Sequence, residues 1–243
     1  MSSHTETGHA KNVAYFHDLI AYCIGYGGNY NPSRPDLRVG DLQTLETIAL
    51  ATLADVLAKK TAFNNTVNLR MDAFRGIKAL ATRIINALQA TSATNELVKD
   101  AKTYNKKLQG VRAGKIETPI DPNAPVPVHI SVSQQSYDQL IQHISGLIEV
   151  VQSEPSYAPN EADLQVPNLI AYRDDLVIKN NDVSTFHTDV SNSRINRDQI
   201  LYRDPTGLIF IAQDVKMYIK SVFGASSDQY RQVKGIPFRL IKK

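Results

Sequence analysis

A thirteen-residue stretch that occurs twice constrains this chain more than any other feature. Tyr30 to Leu42 reads YNPSRPDLRVGDL and Tyr157 to Leu169 reads YAPNEADLQVPNL, so six positions are identical at a constant offset of 127 residues. They are Tyr30/Tyr157, Pro32/Pro159, Asp36/Asp163, Leu37/Leu164, Val39/Val166 and Leu42/Leu169. Unrelated segments of ordinary composition would share about one, so the sequence predicts a tandem duplication. In each copy the tyrosine and prolines are expected to shape a turn, Asp36 or Asp163 to cap the helix that follows, and Leu37 or Leu164 to anchor the turn.

The apolar spacing on either side of the motif is helical throughout. Asn12 is an N-cap residue ahead of Val13, Phe16, Leu19, Ile20 and Cys23, and Gly25, Gly27 and Gly28 stop that helix. From Gly40 the next strong breaker is Gly76, which predicts one long helix. Ile77, Leu80, Ala81, Ile84, Ile85 and Leu88 mark a third helix, and Asn95 to Leu108 a shorter, more polar fourth. Residues 109–132 carry two glycines and four prolines and read as a linker, with an alternating apolar run from Val126 to Val132. Ser133 then matches Asn12 at an offset of 121, which predicts a first helix in the second copy about six residues longer than its counterpart. A second long helix should start at Pro167 and break at Asp204-Pro205-Thr206-Gly207, before a helix from Leu208 to Val222 and a short one from Asp228 to Lys234. The expected organisation is a polar tail at 1–11, helical repeats at 12–108 and 133–236 around the linker, and a basic tail at 237–243. The fold class is all-α: two related bundles with long antiparallel helices.

The run Ile130-Ser131-Val132-Ser133-Gln134-Gln135-Ser136-Tyr137-Asp138-Gln139-Leu140-Ile141, with Glu154-Pro155-Ser156-Tyr157-Ala158-Pro159 and Val215-Lys216-Met217-Tyr218-Ile219-Lys220, resembles an uncharacterised family of helical proteins from Bacteroidota. The likeness spans nearly the whole chain. It implies a bacterial source and a recurring helical scaffold, and it brings no catalytic residue with it.

Composition and motifs narrow the chemistry further. With 42% hydrophobic and 21% charged residues the sequence is that of a folded globular protein, and its apolar runs fall far short of a membrane span. The polar start lacks a secretory pattern, so a cytoplasmic location is expected. Six histidines and one cysteine form no metal-spaced set, so no metal or other cofactor is expected. Cys23 lies on an apolar stripe, where packing is its expected role. Gly25-Tyr26-Gly27-Gly28 follows a helix and lacks a lysine, which fits a helix stop better than a phosphate loop. No catalytic constellation emerges.

Two functional readings follow. The first is a non-enzymatic helical scaffold or protein-interaction module that binds a protein partner or itself. The second is nucleic-acid association through basic residues at the repeat ends. Lys102, Lys106, Lys107, Arg112 and Lys115 close the first copy, and Arg231, Lys234, Arg239, Lys242 and Lys243 close the second. Basic residues also complement helix C-termini, and Asp100, Glu117 and Asp228 dilute both clusters.

Overall fold

The structure, a computed structural model, describes residues 8–111 and 135–241. Among them every regular element is helical. Helix α1 (His9–Gly25) leads through short 3₁₀ turns at Gly27–Asn29 and Pro35–Leu37 into α2 (Val39–Phe74), α3 (Ile77–Gln89) and α4 (Asn95–Gln109). Then α5 (Tyr137–Gln152), a 3₁₀ turn at Ala162–Leu164, α6 (Val166–Tyr202), α7 (Leu208–Phe223) and α8 (Asp228–Lys234) complete the order. No described helix is long and apolar enough to cross a membrane. The predicted linker begins on Gln109, which is still the last residue of α4, and the next residue, Gly110, takes the left-handed φ of 77°. That conformation turns the N–H groups of Gly110 and Val111 back onto the carbonyls of Lys107 and Lys106. The alternating run from Val126 to Val132 lies outside the described residues.

Several helix starts differ from the sequence reading. Asn12 is not a cap: α1 begins at His9, and Asn12 is buried on its side. Its amide donates to the Arg239 carbonyl at 2.8 Å and to the Tyr202 hydroxyl at 3.2 Å, and its Oδ1 accepts from the Arg239 N–H at 3.1 Å. An amide both donates and accepts, and that capacity here holds a distant backbone segment instead of a helix end. Ser133 lies outside the described residues; the cap of α5 is Ser136, whose hydroxyl accepts from the Gln139 N–H at 3.3 Å.

The expected extra length of α5 is also absent. It has 16 residues against 17 in α1. Phe16, Leu19, Ile20 and Cys23 match Ile144, Leu147, Ile148 and Val151 in burial, an offset of 128 instead of 121. The two offsets differ by seven residues. An apolar stripe with three-and-four spacing maps onto itself after about two turns, so sequence pattern alone cannot tell the registers apart.

The chain forms two compact units, and they are not the segments 12–108 and 133–236. The first contains residues up to Phe63 and from Phe186 onward; the second runs from Asn64 to Thr185. Each long helix therefore gives one part to each unit, α2 the larger part to the first. The reason is length: 36 residues at 1.5 Å rise make a rod of about 54 Å, more than a bundle of about 100 residues can cover. In the first unit Phe16, Leu19, Leu42, Leu208, Val215 and Ile219 are fully buried; in the second, Ile84, Leu88, Leu108, Ile144, Leu147 and Leu169 are.

Each unit holds one copy of the motif in the same local form. Tyr30 is buried and donates its hydroxyl to the Leu37 carbonyl at 2.6 Å; Tyr157 is buried and donates to the Leu164 carbonyl at 3.0 Å. Burial pushes the Tyr157 phenol up to about 12 and raises Tyr30 as well. Pro32 is buried, Pro159 half-buried, and a 3₁₀ turn delivers Leu37 and Leu164 to their cores. The motif aspartates depart from expectation, because neither caps the long helix. Asp36 accepts from Arg34 at 2.7 Å, and Arg34 also donates to Asp214 of α7 at 2.6 Å. Asp163 forms a two-pronged ion pair with Arg83 of α3. A guanidinium within reach satisfies a carboxylate with two parallel hydrogen bonds, so the side chains turn away from the helix start.

Candidate functional site: the groove beside α1

In the first unit, α1 buries Phe16, Leu19, Ile20 and Cys23 and turns a different face outward. That face carries Tyr15, Asp18, Ala21 and Tyr22 at three-to-four spacing, so the side chains line one wall. Gln232 of α8 and the following Gly235-Ile236-Pro237 form the other wall of a groove of about 750 Å³. A second hollow of about 330 Å³ shares Ala21, Tyr22 and Gln232 and reaches Gly25, Asp228 and Gln229. From Tyr15 to Gly25 the wall rises about 15 Å along the helix axis.

The rings around the groove are held by specific contacts. Tyr26 donates its hydroxyl to the Gln229 carbonyl at 3.0 Å and to the Gln232 side chain at 3.1 Å, and burial pushes its phenol up to about 12. Tyr22 lies near-parallel to Tyr26 with centroids 6.5 Å apart and remains 37% exposed. Tyr15 meets Phe238 edge-on, and the Lys11 ammonium lies 5.0 Å from the Tyr15 ring centre. Lys216 donates to the Ile236 carbonyl at 2.6 Å, fixing the start of the C-terminal segment, and its desolvation lowers the ammonium's pKa.

The charged residues lining the groove are both carboxylates, Asp18 and Asp228. Asp228 pairs with Arg231 at 3.3 Å, whereas Asp18 has no ion-pair or hydrogen-bond partner among the described residues. Tyr22 follows Asp18 by one helical turn, so a carboxylate and an open ring face share one patch. This arrangement can recognise a ligand by ring faces, amide hydrogen bonds and negative charge.

The residues singled out in the sequence lie elsewhere. Lys102, Lys106 and Lys107 are exposed together on α4 of the second unit, with Lys106 and Lys107 in its last turn, where cations complement the helix dipole. Lys107 also stands 5.9 Å from the Tyr104 ring centre. Arg239 is in the first unit, on the segment that Asn12 clamps. Arg231 donates to the Ser226 carbonyl at 2.7 Å, and Lys234 is exposed in the last turn of α8. Arg112, Lys115, Lys242 and Lys243 fall outside the described residues. Cys23 is buried and its thiol is pushed up to about 11, in line with a packing role. His9 contacts the Tyr202 hydroxyl at 2.8 Å, His17 meets Glu46 at 2.7 Å, and His187 lies beside Phe63. His143 is buried, and its Nε2 has no hydrogen-bond partner among the described residues. Among the described residues no group of three or more His, Cys, Asp or Glu could hold a metal ion.

The groove escaped the sequence reading because Tyr15 and Tyr22 sit outside the apolar stripe and Gln232 to Pro237 are over 200 residues away. Two aromatics on the polar face of an amphipathic helix were the available signal. Comparison with protein families, curated proteins and solved structures finds no match.

Proposed function

We propose that this chain is a non-enzymatic helical scaffold and protein-interaction module, built by tandem duplication and able to self-assemble. The observation that carries the interaction reading is the groove beside α1, where the part of Tyr22 not set against Tyr26 and the unpartnered Asp18 share one exposed surface. The duplication reading draws on the matching tyrosine hydrogen bonds and on buried pairs at one offset: Ile77/Leu208, Ala81/Ala212, Ile84/Val215 and Leu88/Ile219 all differ by 131. The antiparallel reading of α2 and α6 rests on contacts whose numbers rise on one helix as they fall on the other. In the first unit these are Lys59 with Asp189 and Phe63 with His187; in the second, Arg70 with Asn180 and Ala73 with Tyr172.

Charge supports an exchanged pairing of the copies. Arg83 and Asp214 occupy the same position of α3 and α7 with opposite sign, and Arg34 and Glu161 do so in the two motifs. Arg34 meets Asp214 in the first unit, and Asp163 meets Arg83 in the second. Were each motif set against the helix of its own copy, Glu161 and Asp163 would both face Asp214, while Arg34 and Asp36, of opposite sign, would face Arg83. The two carboxylates of the second motif disfavour that alternative, in keeping with bundles that each combine the start of one copy with the end of the other.

Light scattering of the native protein, combined with identification of what co-purifies from its source, tests the function. A defined oligomer or a stoichiometric protein companion is expected; a bare monomer counts against the reading. Steeply salt-dependent binding to DNA or RNA that is lost when Lys106 and Lys107 become alanine would replace it with the nucleic-acid reading.

A further inference from the structure

We propose that the groove beside α1 binds an extended peptide segment through an arginine or lysine side chain, which lies against the Tyr22 ring with its charge on Asp18. The inference rests on the interaction reading and specifies its ligand.

The contrast between the two units gives the width of the site. In the second unit the corresponding face of α5 is covered by α4, a helix of 15 residues, and Tyr104 packs directly on Gly146, where any Cβ would overlap the ring. At the burial-matched offset of 128, Gly146 corresponds to Asp18. The counterpart of α4 in the first unit is α8, which has only seven residues. Beyond it the chain continues without regular structure as Gly235-Ile236-Pro237, reaching Tyr15 through Phe238 and Asn12 through Arg239. A helix is about 10 Å across and neighbouring extended strands about 4.8 Å apart, so replacing one by the other leaves room for one further extended chain. The 15 Å length of the wall accommodates about four or five extended residues.

The lining selects the ligand's character. Where α5 has a glycine sealed by Tyr104, α1 presents a carboxylate, and the other charged lining residue, Asp228, is also acidic. Gln229 and Gln232 place amides along the edge, suited to the alternating donors and acceptors of a peptide backbone. The Tyr15 ring already has Lys11 beside it, which leaves the Tyr22 ring as the open platform for an incoming cation. A guanidinium on that ring meets Asp18 one turn away, joining ring-face attraction to a charge-assisted hydrogen bond.

Fluorescence anisotropy on the full chain tests this, using labelled hexapeptide pools with one central position fixed as arginine, lysine, citrulline, leucine or glutamate and the others randomised. The arginine and lysine pools should bind tightest, and citrulline, which keeps the shape without the charge, about tenfold weaker. Asp18→Asn should erase that preference, and Tyr22→Ala should weaken the arginine pool about fivefold, with circular dichroism unchanged. Equal or tighter binding of the leucine, glutamate or citrulline pool overturns the proposal, as does arginine binding unaffected by Asp18→Asn. Absence of binding from every pool overturns it too. Free argininamide that competes as well as the pool would make the ligand a small cation and refute the peptide. A companion that still co-purifies with the Asp18→Asn, Tyr22→Ala double variant refutes the groove as its site while leaving the interaction reading intact.

Discussion

At the residue scale, two buried polar groups make opposite predictions. Tyr157 gives its hydroxyl to the Leu164 carbonyl inside the second unit, so Tyr157→Phe leaves a buried acceptor unsatisfied. The expected loss is about 1–2 kcal/mol in urea unfolding, and Tyr30→Phe should act in the same direction through Leu37. His143 presents the reverse case, because its buried Nε2 already lacks a partner. Replacing it with leucine removes an unsatisfied group and should be neutral or stabilising at pH 7. Burial and the Lys107 ammonium hold the His143 pKa below its ordinary 6.5, so the unfolded chain takes up this proton first as pH falls. Its contribution is complete above about pH 6.5 and is lost as pH drops toward the folded pKa. Melting temperature should therefore fall as pH drops below about 6.5, and His143→Leu should flatten the decline, leaving the part due to His9, which is lowered for similar reasons. An unchanged slope in that variant would assign the pH dependence to other groups. The tyrosines were legible in the sequence through their recurrence. His143 was not, since one histidine on an apolar stripe carries no mark of whether its nitrogens find partners.

At the scale of elements, the contact between α4 and α5 depends on the missing side chain at Gly146. Gly146→Ala gains helix propensity of about 1 kcal/mol but drives a methyl into the Tyr104 ring, and overpacking of about 1–3 kcal/mol should prevail. Truncating the ring relieves the clash. A thermodynamic cycle with Tyr104→Ala should therefore show strong non-additivity, with Gly146→Ala less harmful, or stabilising, in the Tyr104→Ala background. Additive effects would place the two residues in independent environments. Helix existence and most ends were readable, because Gly76, the Asp204-Pro205-Thr206-Gly207 run and Gly224 interrupt strong apolar periodicity at the observed boundaries. The register of α1 against α5 was not. Seven residues is two turns, and only burial in the folded units separates the offset of 128 from that of 121.

For the whole molecule, the compact units cut across the segments 12–108 and 133–236 that the proposed duplication would make its copies, and this bears on how the chain can be divided. Local spacing reveals where a helix lies but not which distant helix covers it, so the assignment of α7 and α8 to the unit that holds α1 was beyond the sequence. If each copy were a self-sufficient bundle, a chain cut between residues 111 and 135 would give two fragments that fold separately. With the exchanged pairing, the first fragment has α1 and its motif without α7 and α8, and the second has α5 and its motif without α3 and α4. Neither can bury its apolar faces alone as a monomer. We expect the fragments to recover full helicity only on mixing, as a one-to-one complex detectable by circular dichroism and native mass spectrometry. Arg83→Glu should weaken this reassociation by setting like charges against Glu161 and Asp163, and Asp163→Lys in the partner fragment should restore it in part. Two independently folded, monomeric fragments would refute the exchanged arrangement. A fragment that instead pairs with a second copy of itself would show that the motif charges fail to select the partner copy.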